Sequence, residues 1–242
     1  MIAGIHPVLE ALKSGVWIDK IFMRRGLSGP NIIHIRKESM ARSVPVKEVP
    51  PEKLRSLGIT PAQGIVALVS PIPFADLNQT IPTIFETGQM PLLVMLDGVT
   101  DVRNLGSIAR SALCAGAHGL IVGGTGTAAL HAEAVKASAG ALLKLPVHKT
   151  LRVHDTVKLL QDSGIKVVAL SEKSMQSLYE ADLKVPVCFI LGDEEKGISQ
   201  PLLRSASEAL RIPMPGNFSS LNVGHAAAVA LFEAVRQRLQ DT

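Results

Sequence analysis

"IPMPGNFSSLNVGHAAAVALFEAVRQR", residues 212–238, decides how the rest of the chain is read. Its second half has the composition of a helix, but its first half is not the start of an ordinary surface helix. Small and polar residues crowd the approach: Gly216, Asn217, Ser219, Ser220, Asn222 and Gly224. An alanine run, Ala226 to Ala228, then leads into Val229, Ala230, Leu231 and Phe232. A helix packed flat on a sheet would explain the alanines but not the polar, glycine-bearing approach. Slim residues such as Gly216, Gly224 and the alanines let backbones come close. Polar loop side chains satisfy the backbone groups that such crowding buries. The stretch predicts a strand ending at Met214 and a terminal helix beginning near Leu221.

Upstream of it, from Leu92, a strand–loop–helix pattern repeats. The strands are "LLVMLD" (92–97), "GLIVG" (119–123), "IKVVAL" (165–170), "VCFILG" (187–192) and "EALRIPM" (208–214). Helices fall at "NLGSIARSALCAGA" (104–117) and "RVHDTVKLLQDSG" (152–164). Apolar strands alternating with helices predict an α/β fold with a parallel sheet covered on both faces. Residues 71–91 carry Pro71, Pro73, Pro82 and Pro91 and read as a linker with a short helix near Ile84. Residues 1–70 read as a small α/β unit of order α-β-α-β-α-β. Its first helix is closed by Gly15, and a proline stands at the start of its third.

The chain has 242 residues, 47% of them hydrophobic, enough for one large domain or two modest ones. Charged residues make up 19%, which places it among ordinary globular proteins. Cys114 and Cys188 sit in apolar runs without a CxxC pair and are expected as two buried, reduced thiols of a cytoplasmic protein. The first residues lack the layout of a signal peptide, and no apolar run reaches membrane-spanning length. Residues 1–73 hold ten Lys/Arg against five Asp/Glu, whereas residues 74–242 hold fifteen against sixteen. The positive excess therefore lies in the first third, where it suits an anionic partner such as RNA.

Gly124, Gly126 and Ala129 match a GxGxxA dinucleotide turn after a strand. The stretch that should end in a ribose-binding acid, "LKLPVHKTL", has none, so a loop is expected there. The seven His form no metal-ligand spacing, no metal is expected, and no GxSxG is present. Three other segments share a chemistry, with Gly and polar residues at the carboxyl end of a strand, where parallel α/β sheets bind ligands. They are "LDGVTDVRNLGSIAR" (96–110), with Asn104 expected as the helix cap; "FILGDEEKGIS" (189–199); and the opening stretch.

In order, spacing and wording these three resemble the motifs of the SpoU (TrmH-like) RNA ribose 2′-O-methyltransferases of the SPOUT class. Asn104, Gly106 and Arg110 carry the first. Leu191, Gly192, Glu194 and Gly197 carry the second. The third runs from Ile212, Pro213 and Met214 through Gly216 to Ser220, Leu221, Asn222 and Val223. "AGIHPVLEAL" and "AQGIVALV" make residues 1–70 similar to the ribosomal-protein-L30e-like domain of the RlmB-like branch, which acts on 23S rRNA. Departures are "DVRN" for Asp-Pro-x-Asn, Glu195 where Gly is common, and "AQG" for His-Gln-Gly.

The resemblance implies an L30e-like RNA-binding domain over 1–70, a linker over 71–91 and a SPOUT domain over 92–242 whose terminal segment forms a trefoil knot. It implies S-adenosyl-L-methionine (SAM) as cofactor, held around Leu170, Gly192, Ile212, Met214 and Leu221. Arg110 is implied nearest the ribose 2′-hydroxyl, with Asn104, Glu194, Ser220 and Asn222 positioning it and the target. The partner is RNA, with a guanosine of 23S rRNA preferred, and the working form a homodimer. The stripe Val223, Ala226, Ala227, Ala230, Leu231 and Ala234 suits that dimer, because it offers more small apolar surface than one sheet face consumes. A tRNA guanosine 2′-O-methyltransferase, a non-catalytic RNA-binding or ribosome-assembly protein and an NAD enzyme are the competing readings.

Overall fold

The computed structural model describes residues 1–14, 16–42, 44–56, 62–123, 130–216 and 220–240. Two compact units divide the chain, Met1–Pro71 and Ile72–Thr242.

The first unit comprises β1 (Ile2–Ala3), α1 (Ile5–Lys13), β2 (Ile18–Arg24), α2 (Pro30–Ala41), β3 (Val46–Val49), α3 (Pro51–Arg55) and β4 (Ile65–Val69). The sheet order is β1-β4-β2-β3, with β2 and β3 parallel and β4 antiparallel to both its neighbours. Alternate residues of β4 face opposite ways, as a pleated strand requires. Ile65 and Ala67 join Val8, Leu12 and Ile35 under α1 and α2, while Val66 meets Leu54 of α3. The expected helix–strand order is present, preceded by β1, which at two residues is too short to carry a periodicity. Pro30 and Pro51 stand at helix starts, where the missing N–H costs nothing. Gly15 lies outside the described residues.

The second unit comprises α4 (Leu77–Glu86), β5 (Leu92–Asp97), α5 (Val102–Cys114), β6 (Gly119–Gly123), α6 (Ala132–Ala137), β7 (Val147–Thr150), α7 (Val153–Asp162), β8 (Lys166–Leu170), β9 (Val187–Gly192), α8 (Gln200–Ser205), β10 (Glu208–Leu210) and α9 (Val223–Leu239). Its six strands are all parallel, in the order β10-β8-β9-β5-β6-β7. From the central strand β5, Leu92, Val94 and Leu96 enter a core shared with α5 and α9. Leu93 and Met95 enter a second core on the other face, shared with α4, α7 and α8. Burial on both faces is why these strands read as unbroken apolar runs.

Several local expectations are corrected. β10 stops at Leu210 instead of Met214. Pro213 has no N–H to give a ladder, and Ile212 and Met214 leave the sheet to line a cleft. α5 begins at Val102 because Asp101, not Asn104, caps it, accepting from the Arg103 N–H at 2.6 Å. α9 begins at Val223 because Asn222 Oδ1 accepts from the Gly224 N–H at 2.9 Å. Residues 72–91 belong to the second unit. Leu77 and Ile81 of the ten-residue α4 are buried in its core despite Pro82 within the helix. Gly216 has no atom near its missing side chain; Gly224 does, with a built Cβ falling 2.9 Å from Ser107 Oγ on α5. Cys114 is exposed, and only Cys188 is buried. Gly124, Gly126 and Ala129 lie outside the described residues.

Four of the six residues of the apolar stripe of α9 are consumed at home, while Val223 and Ala226 are partly buried and line the cleft described below. Ala227, Ala230, Leu231 and Ala234 are buried in the unit's own core, so they present no surface to a second copy. The far end of α9 is latched. Arg238 donates to the carbonyls of Met90, Pro91, Leu183 and Val185, at 2.7–3.2 Å, beside the amino ends of β5 and β9. Among the described residues no helix is long and apolar enough to cross a membrane.

Candidate functional site

A cleft of about 350 Å³ opens at the carboxyl ends of β8, β9 and β10 and against the start of α9, the edge of a parallel sheet where ligands bind. Leu170, Gly192, Ile212, Met214 and Leu221 line it, and so do Glu194, Ser220 and Asn222. Asn104 and Arg110 are not part of its wall. Residues 171–173 and Asp193 and Lys196 line it without having been singled out from the sequence, and so does Glu195, noted there only as a departure from Gly. Each follows a strand end directly, and that was the signal available for them.

The turn after β9 explains its motif. A side chain at Gly192 would place Cβ 2.2 Å from the backbone of Gly197 and Ile198, so only glycine fits. Gly197 closes the turn at φ +70°, and its N–H donates to the Asp193 carbonyl at 2.9 Å. Asp193 Oδ1 accepts from the N–H groups of Glu195 and Lys196, both at 2.9 Å. Those bonds hold its carboxyl below the usual range. Glu195 does not adopt a positive φ, so the turn takes it where glycine is common.

A chain of side-chain hydrogen bonds then joins all three segments. Asn104 Nδ2 donates to Glu194 Oε1 at 2.7 Å, Asn222 Nδ2 donates to Asn104 Oδ1 at 3.0 Å, and Asn222 Oδ1 accepts from the Gly224 N–H. The ends set its polarity. An ionised carboxylate only accepts and a backbone N–H only donates, so neither amide can be reversed without losing a bond. Asn104 reaches Glu194 because Asp101 has already capped α5, leaving the Asn104 amide free. α5 itself lies close to the end of α6, with a built Cβ on Gly106 falling 2.6 Å from the Ala137 carbonyl carbon.

Arg110 is exposed on α5, and its side chain makes no ion pair or hydrogen bond with another described residue. It lies six positions after Asn104, which at about 100° per residue puts the two on different sides of the helix. Asn104 therefore does not touch Arg110, and the chain of amides holds the cleft wall instead. Among the described residues no cluster of three or more His, Cys, Asp or Glu side chains is arranged to hold a metal ion.

Comparison with known proteins gives the family. The profile of the SpoU rRNA methylase family matches residues 91–232. The chain belongs to the SpoU family. The SpoU profile covers the α5, β9 and α9 segments that the amide chain connects. A second profile, RNA 2′-O ribose methyltransferase substrate binding, matches residues 1–75. A protein of Staphylococcus haemolyticus, described as a candidate TrmH family tRNA/rRNA methyltransferase, is 32% identical over 99% of this chain and 96% of its own. The structure of the SpoU methyltransferase AviRb from Streptomyces viridochromogenes, in complex with AdoMet, is 30% identical. It superposes with a TM-score of 0.62 over 99% of this chain and 90% of that one. An AdoMet-bound rRNA methyltransferase from Sinorhizobium meliloti is 29% identical, with a TM-score of 0.62 over 97% of this chain and 85% of that one.

Proposed function

We propose that this SpoU protein transfers a methyl group from SAM to a ribose 2′-hydroxyl of RNA, with a guanosine of 23S rRNA as its target. The observation that carries the reading is the amide chain Glu194–Asn104–Asn222, which ties the wall of the strand-end cleft to α5. The cleft suits SAM: apolar walls from Leu170, Leu191, Ile212 and Leu221 suit a purine, and a charged rim suits an amino-acid tail. AviRb and the S. meliloti enzyme are described with AdoMet bound. Backbone groups near Gly192, Ile212 and Leu221 would hold the cofactor, with Leu170 and Met214 beside it. When bound, SAM would supply a sulfonium methyl: the carbon would leave its bonding pair on sulfur and bond to the ribose oxygen, whose proton would pass to the neighbouring phosphate or to water. Positioning alone is worth roughly 7–11 kcal/mol in well-oriented systems.

Arg110 is the residue of α5 free to meet RNA. A guanidinium is a planar fork of N–H donors with no lone pair to accept a proton, so its role here is to grip a phosphate beside the target ribose and orient the hydroxyl. Asn104, Glu194, Ser220 and Asn222 position the cleft wall and the nucleotide. Residues 1–70 bind the RNA, in keeping with their substrate-binding profile and positive excess. The 2′-oxygen is supported by the wording of that profile, and rRNA by the SpoU profile and the S. meliloti enzyme. The terminal segment passes through a knot and the site is completed in a homodimer, as the family implies. Incubation with methyl-labelled SAM and, separately, 23S rRNA and total tRNA tests the reading. Label is expected in 23S rRNA, and label in tRNA alone would give the target to the competing tRNA reading.

A further inference from the structure

The cleft carries more charge than a nucleoside needs. The carboxylates of Glu172, Asp193, Glu194 and Glu195 and the ammoniums of Lys173 and Lys196 line it, for a net charge of −2. Asp193 and Glu194 are built into the framework by the backbone and Asn104 bonds described above. Glu172 and Glu195 are exposed at the rim, and neither side chain pairs with another described residue. They arrive from different strand ends, β8 and β9, and Glu195 stands where the family commonly has glycine.

We infer that Glu172 and Glu195 make the cleft read the charge on sulfur, so that it holds the sulfonium cofactor more tightly than the neutral thioether left after transfer. This rests on the reading of the cleft as a SAM site. Cofactor and product share the adenosine and the amino acid; they differ by a methyl group and one positive charge. Apolar walls and backbone bonds grip what the two share. A negative rim acts on the difference, within a Debye length of the bound sulfur and open to screening by salt. A grip that lapses with the charge favours product release over product retention.

Calorimetry on the full chain tests this with SAM and S-adenosylhomocysteine, against the wild type, Glu172→Gln, Glu195→Gln and the double variant. The expected result is that the ratio of the two affinities falls roughly threefold per carboxylate and about tenfold for the pair. Affinity for the thioether should stay within about twofold, and added salt should shrink the wild-type ratio. Lys173→Gln and Lys196→Gln should move the ratio the other way. Both ligands weakening together would overturn the inference, because the acids would then be holding the shared groups. An unchanged ratio would overturn it as well. A wild type that binds neither ligand would overturn the SAM reading beneath it.

Discussion

At the scale of residues, the site depends on which partner donates. Replacing Asn104 by Asp removes the side chain that donates to Glu194 among the described residues and sets two carboxylates face to face. A hydrogen bond to a charged group is worth about 1.5–3 kcal/mol, so Asn104→Asp should lose at least about tenfold in single-turnover rate. Facing carboxylates raise the pKa of one of the pair. Protonation then restores a donor, so the variant should recover activity as the pH is lowered, in contrast to Asn104→Ala. A flat ratio of the two variants across pH would show that the amide polarity is irrelevant. Arg110→Ala should remove methyl transfer while SAM affinity measured by calorimetry survives, since Arg110 is not in the cleft wall. Activity within a few-fold of wild type would remove Arg110 from the chemistry. The motif side chains were legible because their types and spacing are specific. Their contacts were not: the Asn104–Asn222 bond spans 118 positions, and no local periodicity reports it.

At the scale of elements, close approach separates the glycines. Gly106→Ala pushes a methyl to 2.6 Å from backbone and should cost about 1–3 kcal/mol in chemical denaturation. Gly216→Ala meets no atom and should stay within about 0.5 kcal/mol. The opposite order would mean that the terminal segment runs elsewhere. The strands were legible as apolar runs, and α5 and α7 by their periodicity. α6 and α8, at six residues each, carry less than two turns of pattern. Two histidines add a pH dependence. His118 Nδ1 accepts from the Leu92 N–H at 3.1 Å, and His148 Nδ1 lies 3.0 Å from the Ala75 carbonyl. Burial, above all, holds both below the ordinary histidine pKa. A histidine whose folded pKa is depressed contributes stability above its unfolded value, and this is lost as pH falls towards the folded one. Thermal unfolding should show wild type losing stability below about pH 6.5. The His118→Gln, His148→Gln double variant should lose less over the same range.

At the scale of the whole molecule, two units imply separable tasks. A chain beginning at Ile72 should fold and bind SAM, because both cores of the second unit lie within it. It should bind rRNA more weakly than the full chain and with a shallower salt dependence, having lost the basic first third. Equal affinity would give residues 1–70 another task. The boundary near residue 70 was legible from the change in texture there. The membership of 72–91 was not, because four prolines hide a helix whose burial is decided by the sheet. That Ala227, Ala230 and Ala234 of α9 are buried in their own core was likewise not legible, since a buried stripe and an interface stripe have the same composition.

The central claim is that the methyl goes to ribose oxygen. Its most direct test is mass spectrometry of nucleosides from 23S rRNA digested after incubation with the protein and SAM. The expected product is a methylated guanosine whose extra mass stays with the sugar when the glycosidic bond is broken, and which is missing when Arg110→Ala replaces the wild type. Extra mass on the base, or no methylated nucleoside under conditions where SAM binds, would contradict it.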